Sequence, residues 1–92
     1  MIKMLTLQDI QSLMSRLDEW SLEGSAISKV FMFKDFKEAL EFVNKVGEIA
    51  ERMKHHPDFI ISGGSVKLSL STHSEGGLTK KDFEVAEEIG KL

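Results

Sequence analysis

The sequence predicts an α+β fold of element order αββαββα: a four-stranded antiparallel sheet with three helices packed on one face. Three observations predict it. Two pairs of β-rich runs are each joined by a short glycine-containing turn, at Gly24-Ser25 and Gly63-Gly64, as hairpins are. Three other segments carry apolar residues at helical spacing behind a capping residue. Helices and strand pairs follow one another in blocks, so the strands pair antiparallel and the helices gather on one side. The other side is left to solvent or to assembly. At 92 residues the chain is expected to form a single domain, residues 1–92.

Each element has a local cause. Thr6 is a candidate N-cap with Asp9 three residues on. Ile10, Leu13, Met14 and Leu17 then recur at helical spacing, predicting a first helix over roughly residues 7–17. Trp20 and Leu22 alternate with Ser21 and Glu23, a short strand. After the Gly24-Ser25 turn, Ala26 to Phe33 is rich in β-branched and aromatic residues. Ile27, Phe31 and Phe33 share one face of it, and Val30 and Met32 the other, so it is a central strand or its second face meets another subunit.

Asp35 caps the second helix, with Glu38 at the capping-box position. Phe36, Ala39, Leu40, Val43, Val46, Gly47, Ala50 and Met53 form its apolar stripe, widened by Phe42 and Ile49. The helix is expected over roughly residues 36–54, with Glu51 and His55 on one face because positions i and i+4 are neighbours. Pro57, the only proline, disfavours the α region for His56, so the helix stops near Lys54 or His55.

Asp58 to Ser62 then reads as a strand, and Ser65 to Thr72 as its hairpin partner. Val66, Leu68 and Leu70 face one way; Lys67, Ser69 and Ser71 face the other, with His73 among them if the strand runs that far. Ser74-Glu75-Gly76-Gly77 is a flexible connection. Thr79 caps the last helix, Asp82 takes the capping-box position, and Phe83, Ala86, Ile89 and Gly90 give its buried stripe. Lys80 and Lys81 lie in its first turn, against the helix dipole.

Composition narrows the function. The chain has 12 basic and 15 acidic residues, a net charge of −3, which argues against direct nucleic-acid binding. There is no cysteine, so disulfides, thiolate catalysis and cysteine-based zinc sites are absent; the lack fits a cytoplasmic protein. No apolar run approaches the ~20 residues that span a bilayer. The N-terminus is too soon interrupted by Gln8 and Asp9 for a signal peptide.

The chemistry-bearing residues sit at element ends. His55 and His56 lie at a helix-to-strand corner, His73 at the end of the last strand, Glu51 in the last turn of helix 2, and Asp82 in the first turn of helix 3. Three imidazoles at one cleft suit proton transfer at neutral pH, and a carboxylate beside an imidazole orients it. Taken singly, each has an ordinary explanation as a surface charge, a cap or a core histidine. A metal site of Glu51, His55 and His73 is the chemical rival. It is disfavoured, because there is no His-Glu-x-x-His and adjacent histidines in an extended segment point to opposite sides.

Ala50-Glu51, His55-His56-Pro57-Asp58-Phe59, Val66-x-Leu68-x-Leu70-x-Thr72-His73, Gly76-Gly77-Leu78-Thr79 and Asp82, with Trp20 and Phe31-x-Phe33-x-Asp35-Phe36-x-x-Ala39-x-x-Phe42 before them, together resemble the pterin-4a-carbinolamine dehydratase family. The resemblance covers about residues 20–90. It implies the αββαββα fold, a homodimer or homotetramer, no metal and no organic cofactor. It implies a hydro-lyase acting on a small-molecule pterin, 4a-hydroxytetrahydropterin, in the formation and recycling of tetrahydrobiopterin. His55, His56 and His73 are then the catalytic residues. His55 and His73 transfer protons, and His56 positions substrate. Glu51, Pro57, Phe59, Thr72 and Asp82 bind substrate or shape its pocket. Phe59 stands where the family often has tryptophan, and Ser74 where it often has an acid. Two other functions fit the same scaffold: a non-catalytic protein-binding or dimerisation module, and another pterin-binding or metal-dependent enzyme.

Overall fold

The computed structural model describes residues 5–92, and the expected α+β architecture is the one it adopts. The order is α1 (Leu7–Met14), β1 (Ser21–Glu23), β2 (Ala26–Met32), α2 (Phe36–Met53), β3 (Asp58–Ser62), β4 (Ser65–Leu70) and α3 (Lys80–Ile89), with a single 3-10 turn at His73–Glu75. The four strands form one antiparallel sheet in the order β1-β2-β4-β3. Each hairpin is therefore intact, and β4 lies between β2 and its own partner β3.

Register decides which side chains face the helices. Ile27 pairs with Leu70, Phe31 with Val66, and Leu68 with Phe59. Side chains alternate along a strand, so these residues line one face. Ile27, Val66, Leu68 and Leu70 are fully buried there, beneath Ala39, Val46, Ile49 and Ala50 of α2 and Phe83, Val85, Ala86 and Ile89 of α3. The opposite face carries Val30, Lys67 and Ile60 in one row across the sheet. Val30 and Ile60 are exposed, as is Met32. Strand β2 is thus central, and its second face is also open. Among the described residues, no buried side-chain nitrogen or oxygen lacks a hydrogen-bond partner.

Four expectations are corrected. Helix α1 ends at Met14, and the N–H groups of Arg16 and Leu17 bond to carbonyls only three residues back, the tighter winding common at helix ends. The buried stripe of α2 runs through Ala39, Val46, Ile49 and Ala50, so Phe36 and Leu40 fall on its exposed edge. Strand β4 stops at Leu70; Thr72 makes one isolated bridge to Gly77, and His73 opens the 3-10 turn instead of extending the strand. Val85 joins the buried stripe of α3, and Gly90 is exposed.

A charged cluster lies where β1, β2 and β4 meet. Ser28 donates to Glu23, and Lys67 stands 3.2 Å from the same carboxylate. The Ser28 hydroxyl first, and then Lys67, hold the Glu23 carboxyl below the usual carboxylate range. Glu23 is exposed, so the pairing fixes side-chain positions more than it stabilises the fold.

Candidate active site

The corner after α2 is set by one residue. Lys54 takes the left-handed conformation, φ 54 and ψ 42, and its N–H and that of His55 close the helix on the carbonyls of Glu51 and Ala50. This is the usual helix-ending geometry, here without the glycine that adopts it most readily. The chain leaves the helix axis before His55, so Glu51 and His55 do not pair as i and i+4. The Glu51 carboxylate instead lies 2.7 Å from Nε2 of His56, in a pair that is mostly exposed. His55 turns the other way. Its Nε2 is 2.5 Å from Oδ1 of Asp82, with the ring 12% exposed and Asp82 wholly buried. The opposite directions of adjacent histidines before a proline are as extended backbone requires.

Asp82 is the hub. Its Oδ2 accepts from the Thr72 hydroxyl at 2.9 Å and from the Thr79 N–H at 2.9 Å. The Thr72 and Thr79 hydroxyls are themselves 2.8 Å apart. One carboxylate therefore joins the end of α2, the end of β4 and the first turn of α3. A buried carboxylate without such partners costs several kcal/mol; here two protein donors and the Nε2 of His55 converge on it. A charge at a helix N-terminus also suits the dipole.

The remaining predicted residues lie around this hub. His73 follows Thr72 directly and is exposed, with no side-chain hydrogen bond among the described residues. Gly76, with φ 75, turns the chain back so that Gly77 bridges Thr72. Pro57 is buried, and Phe59 is half-buried on the helix-facing side of β3, packed against the core. Among the described residues, no group of three or more histidine or acidic side chains is arranged to hold a metal ion.

Thr79 is the residue that sequence reasoning missed. Its spacing to Asp82 signals a capping box, and that accounts for the N–H bond. The hydroxyl contact to Thr72 comes from seven residues away across a loop, and no local pattern announces it.

Chemically, the arrangement offers one imidazole backed by a buried carboxylate, a second paired with an exposed carboxylate, and a third free in solvent. That set can give and take protons at neutral pH.

The family model described as pterin 4 alpha carbinolamine dehydratase matches residues 3–92. A protein of Nostoc sp., provisionally named a pterin-4-alpha-carbinolamine dehydratase, is 50% identical over 92 residues, 100% of this chain and 99% of its own. One from Sulfolobus acidocaldarius with the same provisional name is 46% identical over 84 residues, 91% of this chain and 92% of its own. A crystal structure from Brucella melitensis, described as a transcriptional coactivator/pterin dehydratase, matches with a TM-score of 0.91 at 33% identity, covering 97% of each chain.

Proposed function

The chain belongs to the pterin 4 alpha carbinolamine dehydratase family, and from that premise we propose that it removes water from 4a-hydroxytetrahydropterin to give the quinonoid dihydropterin. Hydroxide is a poor leaving group. The 4a-oxygen takes a proton as its bond to C4a breaks, and it departs as water. N5 loses its proton, and the C4a–N5 double bond forms. The observation that carries the reading is the His55–Asp82 contact, an imidazole tied at 2.5 Å to a fully buried carboxylate. A ring oriented this way is a competent acid or base, worth on the order of 10²–10⁴ in rate. His55 and His73 transfer the protons, and His56 positions the pterin with Glu51 beside it. Pro57, Phe59 and Thr72 shape the pocket from behind, and Asp82 acts through His55. No metal or organic cofactor takes part. The compartment proposed is the cytoplasm; among the described residues no helix is long and apolar enough to cross a membrane.

Single His→Ala variants, assayed for both turnover and pterin binding, test the assignment. His55→Ala and His73→Ala are expected to lower kcat by about 10²-fold or more, and His56→Ala to weaken binding with less effect on kcat. A wild-type protein that does not accelerate dehydration of freshly generated 4a-hydroxytetrahydropterin would sink the reading.

A homodimer or homotetramer is part of the proposal, supported by the open edge of β3 and the exposed Ile60 and Ile61 on it. A second function, as a protein-binding module, is favoured by one observation: Phe36 and Leu40 leave an apolar edge exposed along α2. Partner binding that survives loss of all three histidines would separate it from catalysis.

A further inference from the structure

The hydrogen bonds around Asp82 have a direction. An ionised carboxylate only accepts, and each threonine has a single hydroxyl proton. Oδ2 receives the Thr72 hydroxyl, so Thr72 has no proton left for Thr79. The 2.8 Å contact between the two hydroxyls is then made by the Thr79 proton. The chain runs one way, Thr79 to Thr72 to Asp82. The reverse direction requires a proton on Oδ2, which would make that oxygen a poorer acceptor for the Thr79 N–H it also holds. All of these groups are buried: Thr79 and Asp82 are 0% exposed and Thr72 is 5% exposed. The relay is therefore shielded from bulk solvent, and hydrogen bonds aligned in such a setting strengthen one another.

We propose that the Thr79–Thr72 hydroxyl relay orients the Asp82 side chain and thereby fixes His55 with its proton on Nε2, leaving Nδ1 as the ring nitrogen that meets substrate. The tautomer of a neutral imidazole is set by the bond its other nitrogen makes. Here that bond is Nε2 to Oδ1 of Asp82. Thr72 and Thr79 are positioning residues, acting through Asp82 and His55. The role of Nδ1 rests on the dehydratase reading, whereas the tautomer itself does not.

The test is a two-bond proton–nitrogen correlation spectrum of uniformly ¹⁵N-labelled protein, taken through a pH series until His55 is neutral. In the wild type, His55 is expected to show a protonated Nε2 and an unprotonated, acceptor-type Nδ1. Thr72→Val and Thr79→Val keep the side-chain shape and remove a hydroxyl. Each is expected to lose that pattern in part, with Nδ1 gaining proton character, and Thr72→Ser and Thr79→Ser are expected to restore it. A purely structural role would lower thermal stability without moving the tautomer. A wild-type His55 with its proton on Nδ1 overturns the proposal, even if neither valine variant folds. A tautomer unchanged in both valine variants overturns it as well. Both outcomes are read without substrate, so they are independent of whether dehydration is observed.

Discussion

Asp82 combines two roles that usually fall to different residues. It completes the start of α3 through the Thr79 N–H, and it ties down His55. Asp82→Asn keeps the shape but turns an NH₂ group towards either His55 or the Thr72–Thr79 side, where a donor already stands. Leaving one buried donor unmatched costs about 1–3 kcal/mol. Turnover is expected to fall further, by roughly 10²–10⁴-fold, because a misoriented or wrongly protonated imidazole loses its function outright. Thermal unfolding and dehydration kinetics together check it; a variant with lowered Tm and full turnover contradicts it. Glu51 is the contrasting case. Its contact with His56 is 79% and 65% exposed, and such pairs contribute about 0–1 kcal/mol. Glu51→Gln is therefore expected to leave stability within about 0.5 kcal/mol, with its effect seen in pterin affinity instead. A fall of several degrees in Tm would contradict that.

Elements were legible where their causes are local. The caps at Thr6, Asp35 and Thr79 sit where the sequence puts them, and both glycine turns join their predicted strands. Pro57 marked the end of α2 within two residues. The partners of Glu51 and His55 were not legible: helical spacing places the two on one face, but Lys54 takes a left-handed turn that nothing in its identity signals, and Glu51 meets His56 instead. The end of β4 was misread for a related reason: the alternation of Val66, Leu68 and Leu70 continues to Thr72, but the ladder partner runs out at Ile27. Half of the site was therefore visible as a set of residues, and its pairing was not. The second hairpin turn carries its own prediction. A Cβ on Gly64 would stand 2.6 Å from the carbonyl oxygen of Phe33, whose N–H already bonds to the Gly64 carbonyl at 2.7 Å. Neither backbone group yields without breaking the β2–β4 end. Gly64→Ala is expected to cost about 1–3 kcal/mol, and a domain of this size loses roughly 4–8 °C in Tm per kcal/mol. An unchanged Tm would show that the strand ends move apart freely.

At the scale of the whole molecule, the sheet is protected unevenly. One edge, β1, is three residues long, too short to template much pairing. The other, β3, has five residues, Asp58–Ser62, with no charge between its ends and no proline inside it. Ile60 is 63% exposed on the outer face, beside Lys67 and in the same cross-sheet row as Val30. Long, flat, apolar edges of this kind pair with other strands unless blocked by charge, bulge or proline. Two copies of one strand can pair antiparallel about a two-fold axis, the commonest symmetry of soluble oligomers. Ile60→Glu separates the monomer from the assembly. Within one chain the new carboxylate faces Lys67, a favourable cross-strand pair, so the fold is retained and far-ultraviolet circular dichroism is unchanged. Across the two-fold axis two such carboxylates meet and repel. Light scattering coupled to size exclusion is expected to find the wild type as a multiple of the 10.4 kDa chain and the variant reduced in mass. The wild-type Tm should rise with protein concentration and the variant's should not. A monomeric wild type, or an Ile60→Glu protein of unchanged mass, would mean that the β3 edge stays bare in solution and that any assembly uses another surface.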